Sequence, residues 1–331
     1  MKRSIKILLG IIFVIIPVVI GCLFIFLGDL NNTRDYRQDM RNFIQNLSAY
    51  AKGMNSSFVI IPQNGQELLT DDGESTGTPM SNYIAAIDGI GREDLFYGYI
   101  NDDEATPPSE RNYMIEFLDI AESNNVEVLV TDYCCTQEFV DNSYSLNAAK
   151  NYISFAADHR ELDNIPSYPT EPYNEHLMNV VSLGDAKNFL YLINPSSFPS
   201  KYDFLNTINV TNYDLIIIDL FYEDEKLNST EIASLKIKAN GGSRLIIAYM
   251  SIGEAEDYRY YWQTEWDTNP PFWLAGENPD WPGNYKVRYW ETDWQNIIYG
   301  NENSYLKKIM DAGFDGVYLD IIDAFEYFEN L

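Results

Sequence analysis

Eight short apolar runs, each followed by a polar residue, constrain the fold of this chain more than any other feature. They cover 58–61, 83–87, 126–130, 152–157, 189–193, 215–218, 245–249 and 317–319, and a ninth candidate, 286–289, is short. Runs such as Leu215-Ile216-Ile217-Ile218 do not alternate, so both faces of the strand are buried, as in a parallel sheet. Helical patterns lie between several of them. One is 112–123, with Tyr113, Ile115, Phe117, Leu118 and Ala121. Another is 231–238, capped by Ser229-Thr230 and stopped at Gly241-Gly242. A third is 304–312, stopped at Gly313. Strand–helix alternation repeated about eight times predicts an α/β fold, a (β/α)8 TIM barrel. A doubly wound open sheet competes with it. The polar residue closing nearly every run favours the barrel, whose sites gather at the carboxyl ends of its strands.

The element order is unusual for such a barrel. The body opens with a helix over 34–52, in which Met40, Phe43, Ile44, Leu47 and Ala51 follow the helical period, and it stops soon after a strand. The first helix then fills the place of a missing last one, which makes the barrel circularly permuted; neighbouring chain ends tolerate such a break. The competing reading is an added N-terminal helix with a short final helix over 324–331. Loops rich in proline are expected over 164–176 and 267–284.

Ahead of the body, Lys2, Arg3 and Lys6 precede 22 uncharged residues, 7–28, enough to cross a bilayer as a helix. Three outcomes compete: a signal anchor, lipid attachment at Cys22 after Val19-Ile20-Gly21, and a cleaved signal. Each places the body outside the cytoplasm, the anchor by the positive-inside rule. The expected division is a leader and linker over 1–33 and a barrel over 34–331.

Composition narrows the chemistry. Fifty acidic against 22 basic residues give a formal net charge of -28, which repels nucleic acid and attracts cationic ligands. The two histidines, His159 and His176, leave little for a His-based triad or a multi-His metal site. Three cysteines without a CxxC pair exclude zinc ribbons and disulfide scaffolds, and no GxxxxGK[ST] or GxGxxG occurs. No metal and no cofactor is expected. Carboxylates and aromatics remain: 25 Tyr, 17 Phe and 6 Trp. Those are the groups that cleave and bind sugars.

Several constellations place such groups at strand ends. Asp320 closes 317–319, with Asp323 three residues on. Glu93 and Asp94 follow Gly89-Ile90-Gly91-Arg92, where the glycines suggest a tight turn onto a rim loop. The segment 249–262 packs Tyr249, Glu254, Arg259 and four more aromatics behind one strand. A structural Glu254–Arg259 clasp competes there with ligand contact. Gln63 and Asn64, Asp132 and Tyr133, and Asp219 also follow strands. Buried strand ends use such residues to satisfy backbone as well. The six tryptophans, Trp290 among them, cluster late in the chain.

Seven blocks carry a family resemblance. NYDLIIIDLF (212–221), AYMSIGEAEDYRYYW (248–262), WPGNYKVRYW (281–290) and GFDGVYLDIIDAFEYF (313–328) resemble glycoside hydrolase family 114, the endo-α-1,4-polygalactosaminidases. FVIIPQNGQELL (58–69), IDGIGREDLFYGY (87–99) and VLVTDY (128–133) are similar to it too. Here the second set precedes the first, the reverse of the family order, in agreement with a permuted barrel. The resemblance implies cleavage of α-1,4 links in galactosamine-containing polymers. It places the catalytic carboxylates on Asp320 and, more loosely, Glu93. The roles expected are Asp320 as nucleophile or base and Glu93 as general acid. Gln63, Asn64, Asp132, Tyr133, Asp219, Tyr249, Glu254, Arg259, Trp290 and Asp323 are expected to bind a cationic hexosamine polymer. The leader would supply a membrane contact. A non-catalytic glycan-binding barrel and a hydrolase of another hexosamine polymer are the rival readings.

Overall fold

The computed structural model describes residues 34–331. The apolar run 7–28, Cys22 and the linker 29–33, and with them the expected membrane or signal segment, lie outside the described residues. Among the described residues no helix is long and apolar enough to cross a membrane. The chain divides into residues 1–36 and a body of 37–331. Of the former, residues 34 and 35 have no regular structure and Tyr36 opens a helix.

That helix, Tyr36–Met54, buries Met40, Phe43, Ile44, Leu47 and Ala51 as the spacing requires. Asp39 in its first turn and Lys52 in its last complement the helix dipole. Its buried Arg41 donates Nε to the carbonyl of Leu68 at 2.9 Å and Nη2 to that of Thr70 at 2.5 Å.

Thirteen strands follow among the described residues: β1 Val59–Pro62, β2 Gly89–Glu93, β3 Glu127–Tyr133, β4 Ile153–Ala157, β5 Phe189–Tyr191, β6 Leu215–Ile218, β7 Phe221–Tyr222, β8 Glu225–Lys226, β9 Leu245–Ser251, β10 Glu254–Glu256, β11 Leu274–Glu277, β12 Asn284–Val287 and β13 Gly316–Asp320. Two sheets are wholly parallel, β1-β13-β9-β6-β5 and β2-β3-β4. Their edges meet at two isolated parallel bridges, Gln63 with Gly91 and Ser154 with Asn188. The first strand pairs with the last, Val59 opposite Gly316 through Pro62 opposite Leu319. The architecture is therefore mixed α/β with parallel sheets. Their non-alternating runs are buried on both faces: Ile216, Ile217, Ile218, Ile246, Ile247 and Val317 are all fully covered. Each such side chain contributes roughly 1.5–3 kcal/mol of burial.

Four expectations need correction. The run 83–87 is not a strand. Ser81–Ile84 is a short helix, and the strand lies further on at Gly89–Glu93. Gly89 and Gly91 are thus strand residues, not a turn. A Cβ on Gly91 would sit 2.0 Å from the Tyr318 hydroxyl, and one on Gly89 would meet Leu183 at 2.8 Å. Glycine is there because the side chains of Tyr318 and Leu183 pack directly onto the strand. The candidate 286–289 falls on β12, the centre of a separate antiparallel sheet, β10-β12-β11. The helix expected over 231–238 is Ser229–Leu235. Its cap is Asn228, whose Oδ1 accepts from Thr230 and Glu231 N–H while Glu231 accepts in return from Asn228 N–H. Helices Gln137–Ala149, Lys201–Asn209 and Thr292–Ile298 carried no recognised signal.

Candidate active site

The carboxyl ends of the parallel strands open on a cleft of about 470 Å³. Gln63, Asn64, Glu93, Tyr133, Asp219, Tyr249, Glu254, Arg259, Asp320 and Asp323 all line it. Residues as distant in sequence as Gln63 and Asp323 meet there because β1, β2 and β13 all point the same way.

Glu93 is the last residue of β2. Its Oε1 accepts from the Tyr133 hydroxyl, and its Oε2 accepts from Asn64 Nδ2 at 3.1 Å. Asp320 ends β13. Its Oδ2 accepts from the Tyr249 hydroxyl at 2.7 Å, and its Oδ1 from its own neighbour, Ile321 N–H, at 2.8 Å. Burial and the nearby charge of Glu93 push the Asp320 carboxyl up to about 7. Asp323 is pushed up to about 6, chiefly by burial, with Lys286 and Arg92 acting the other way.

The backbone after each of three site strands turns through the left-handed region, at Asn64 (φ 61), Asp94 (φ 61) and Ile321 (φ 57). Asn and Asp accept that conformation. A β-branched Ile does so under strain, and such strain collects at functional sites. Gly253 permits it: a Cβ there would lie 1.9 Å from the Ile321 carbonyl oxygen.

On the cleft wall, Arg259 bridges two carboxylates. Nη1 lies 2.7 Å from Asp219 Oδ2 and Nε 2.5 Å from Glu256 Oε2, all three side chains being buried. The expected Glu254–Arg259 clasp is therefore replaced by a Glu256–Arg259 one. Glu254 instead takes Lys286 Nζ at 2.5 Å and Asn278 Nδ2 at 2.9 Å on Oε1. Its buried Oε2 has no hydrogen-bond partner among the described residues. Gln63 accepts the Tyr191 hydroxyl at 2.9 Å.

Two expected residues lie elsewhere. Asp132 is wholly buried, accepting from the N–H groups of Phe96 (2.8 Å) and Tyr97 (3.2 Å), Ser143 Oγ (2.6 Å) and Asn147 Nδ2 (3.1 Å). Adjacent strand residues face opposite sides, so Tyr133 turns to the cleft and Asp132 to helix Gln137–Ala149. Trp290 packs on Tyr289 and Phe328. The tryptophan at the cleft is Trp281, 60% exposed, in the turn between β11 and β12, two strands that occupy part of the loop expected over 267–284.

Glu256, Tyr258, Arg160 and Trp281 line the cleft without having been singled out. Glu256 had a signal, lying two residues from Glu254 on a strand and so on its face. Arg160 had none. No group of His, Cys, Asp and Glu among the described residues is arranged to hold a metal ion.

Residues 188–331 match the model of glycoside-hydrolase family GH114. The family resemblance is borne out over that stretch. GH114 is a glycoside-hydrolase family of the TIM-barrel type, and the likeness to it covers the C-terminal part of the chain. Of the site, Asp219, Tyr249, Glu254, Arg259, Asp320 and Asp323 fall within the GH114 match, whereas Gln63, Asn64, Glu93 and Tyr133 precede it. The chain is also similar to three uncharacterized proteins. One, from Methanocaldococcus jannaschii, is 39% identical over 192 residues, 57% of this chain and 46% of that protein. One from Thermotoga maritima is 42% identical over 120 residues, 36% of each chain. One from Deinococcus radiodurans is 40% identical over 126 residues, 38% of each. Each match spans less than half of the relative's length.

Proposed function

We propose that this protein is an extracytoplasmic glycoside hydrolase that cleaves α-1,4-linked, galactosamine-containing polysaccharide with the carboxyl pair Asp320 and Glu93. The observation that carries this reading is the convergence of the two groups: they end strands far apart in sequence, line one cleft, and lie close enough for Glu93 to raise Asp320. In this reading the eight parallel strands close into a permuted barrel. The two edge bridges and the pairing of β1 with β13 support closure.

The chemistry needs one proton between two carboxyls. Asp320, raised to about 7, keeps that proton until near neutral pH. Held by Tyr249 and Ile321, it gives the proton to the glycosidic oxygen as the bond to the anomeric carbon breaks, the reverse of the roles the sequence suggests. Glu93 attacks that carbon or takes the proton of an attacking water. The orphaned Oε2 of Glu254 and the carboxyl of Asp323 give the wall an anionic character that suits an ammonium-bearing sugar. Trp281 offers an apolar face for a sugar ring. The basic residues before the apolar run 7–28 support a body outside the cytoplasm, held at a membrane or secreted.

The test is turnover of defined galactosamine oligomers by the parent, Asp320→Asn and Glu93→Gln. Loss of cleavage in both variants with glycan affinity retained supports the reading. Binding without turnover in the parent would make the protein a glycan-binding module. Cleavage of another hexosamine oligomer alone would overturn the sugar assignment.

A further inference from the structure

Arg160 takes no part in the chemistry above, yet it grips the Glu93 end of the site from two sides. It lies three residues past β4, half-buried, on the cleft wall. Its guanidinium stands 4.2 Å from the centroid of the Tyr133 ring. Nη2 and Nη1 donate to the two oxygens of Asp94 at 2.8 and 3.4 Å, Nη2 also donates to the carbonyl of Gly98, and Nε donates to Asp102 Oδ1 at 2.7 Å.

We propose that Arg160 is a positioning residue for Glu93. The proposal rests on the reading of Glu93 as one of the catalytic pair. One arm runs through Tyr133, whose hydroxyl donates to Glu93 Oε1. A cation over the ring face fixes the ring and draws charge from the phenol, which makes its O–H a stronger donor. The other arm runs through Asp94, the residue directly after Glu93, whose left-handed backbone (φ 61) is pinned twice. Arg160 holds its carboxylate, and Thr106 Oγ1 donates to its carbonyl at 2.7 Å. Holding Asp94 fixes the angle at which the chain leaves Glu93. Both arms need a planar, forked, stacked cation, which lysine does not supply. The charged groups around Glu93 are Asp320 and Asp323 from the β13 side, Arg92 and Asp94 beside it, and Arg160 beyond Tyr133.

The test compares the parent with Arg160→Gln, Arg160→Lys, Tyr133→Phe and the Arg160→Gln/Tyr133→Phe double variant. The first readout needs no substrate. It is the carboxyl titration of 13C-glutamate-labelled protein, with the Glu93 signal identified by its loss in Glu93→Gln. Arg160→Gln and Tyr133→Phe are each expected to raise the Glu93 midpoint by about one pH unit. The double variant should move it by less than the sum, and Arg160→Lys should restore only part. With an oligomer substrate, kcat should fall about tenfold in Arg160→Gln at little-changed KM. An unmoved Glu93 midpoint, full additivity, or a change in KM alone overturns the proposal. Absence of turnover in the parent would sink the hydrolase reading and leave the titration result standing.

Discussion

Removing the charge of Asp320 should make the protein more stable, increasingly so as pH rises from about 4 to 7. The native carboxyl titrates at about 7 against an ordinary value of 3.8. The native state therefore holds the Asp320 proton more tightly than the unfolded chain. The stabilisation this gives is complete below about pH 4 and is lost as pH rises through about 7. A displacement of that size corresponds to at most about 4 kcal/mol well above pH 7. The carboxyl faces an open cleft, so water screens part of this, and about 2 kcal/mol is the working expectation. Asparagine keeps an acceptor for Ile321 N–H and places an amide against Tyr249, whose hydroxyl oxygen accepts as well as donates. Urea unfolding of parent and Asp320→Asn at pH 4.5, 6 and 8 reads the difference. The variant should gain less than about 1 kcal/mol at pH 4.5, more at pH 6 and about 2 kcal/mol at pH 8. A variant that is equally or less stable at pH 8, or a gap that is the same at every pH, would refute the argument that burial and Glu93 raise this group.

Further outcomes are expected. Because Asp320 must keep its proton to act as the acid, kcat/KM should fall as pH rises through about 7, read on a soluble oligomer from pH 5 to 9. Arg259→Leu strands the buried carboxylates of Asp219 and Glu256 and should cost about 3–5 kcal/mol in chemical denaturation, with partial relief at low pH. Gly253→Ala drives a Cβ to 1.9 Å from the Ile321 carbonyl. It should destabilise the fold by roughly 1–3 kcal/mol and, by displacing Ile321 and hence Asp320, reduce kcat of the folded fraction.

The strands at the heart of the fold were legible because burial on both faces leaves an unmistakable mark. Leu215–Ile218 runs where its residues require. Position around a strand was less legible. Asp132 and Tyr133 look equally polar in a row of letters, and only the pleat decides which one meets the cleft. The glycines before Glu93 speak for a turn in sequence and for a crowded strand in space, since what crowds Gly91 is Tyr318, more than two hundred residues away. Asp320 reads as a strand end from its own run, whereas Glu93 reads as a rim-loop residue and enters the expected pair through the family resemblance. Arg160 was not legible, because its meaning lies in Tyr133 and Asp94, which reach it only after folding. Trp290 and Trp281 could not be told apart by composition. Trp290 packs on Phe328, while Trp281 sits in the turn between β11 and β12, at the cleft.

The pairing of β1 with β13 ties Val59 to Gly316 across nearly the whole body. Closing a contact that remote costs more chain entropy than closing a local one, and synthesis delivers β13 last. A nascent polypeptide therefore has no partial version of this cleft to offer: the half bearing Glu93 waits for the half bearing Asp320 until the last strand slots in beside the first. A nick that frees either portion should abolish the site outright, and mixing the two purified portions should restore it only if they reassemble.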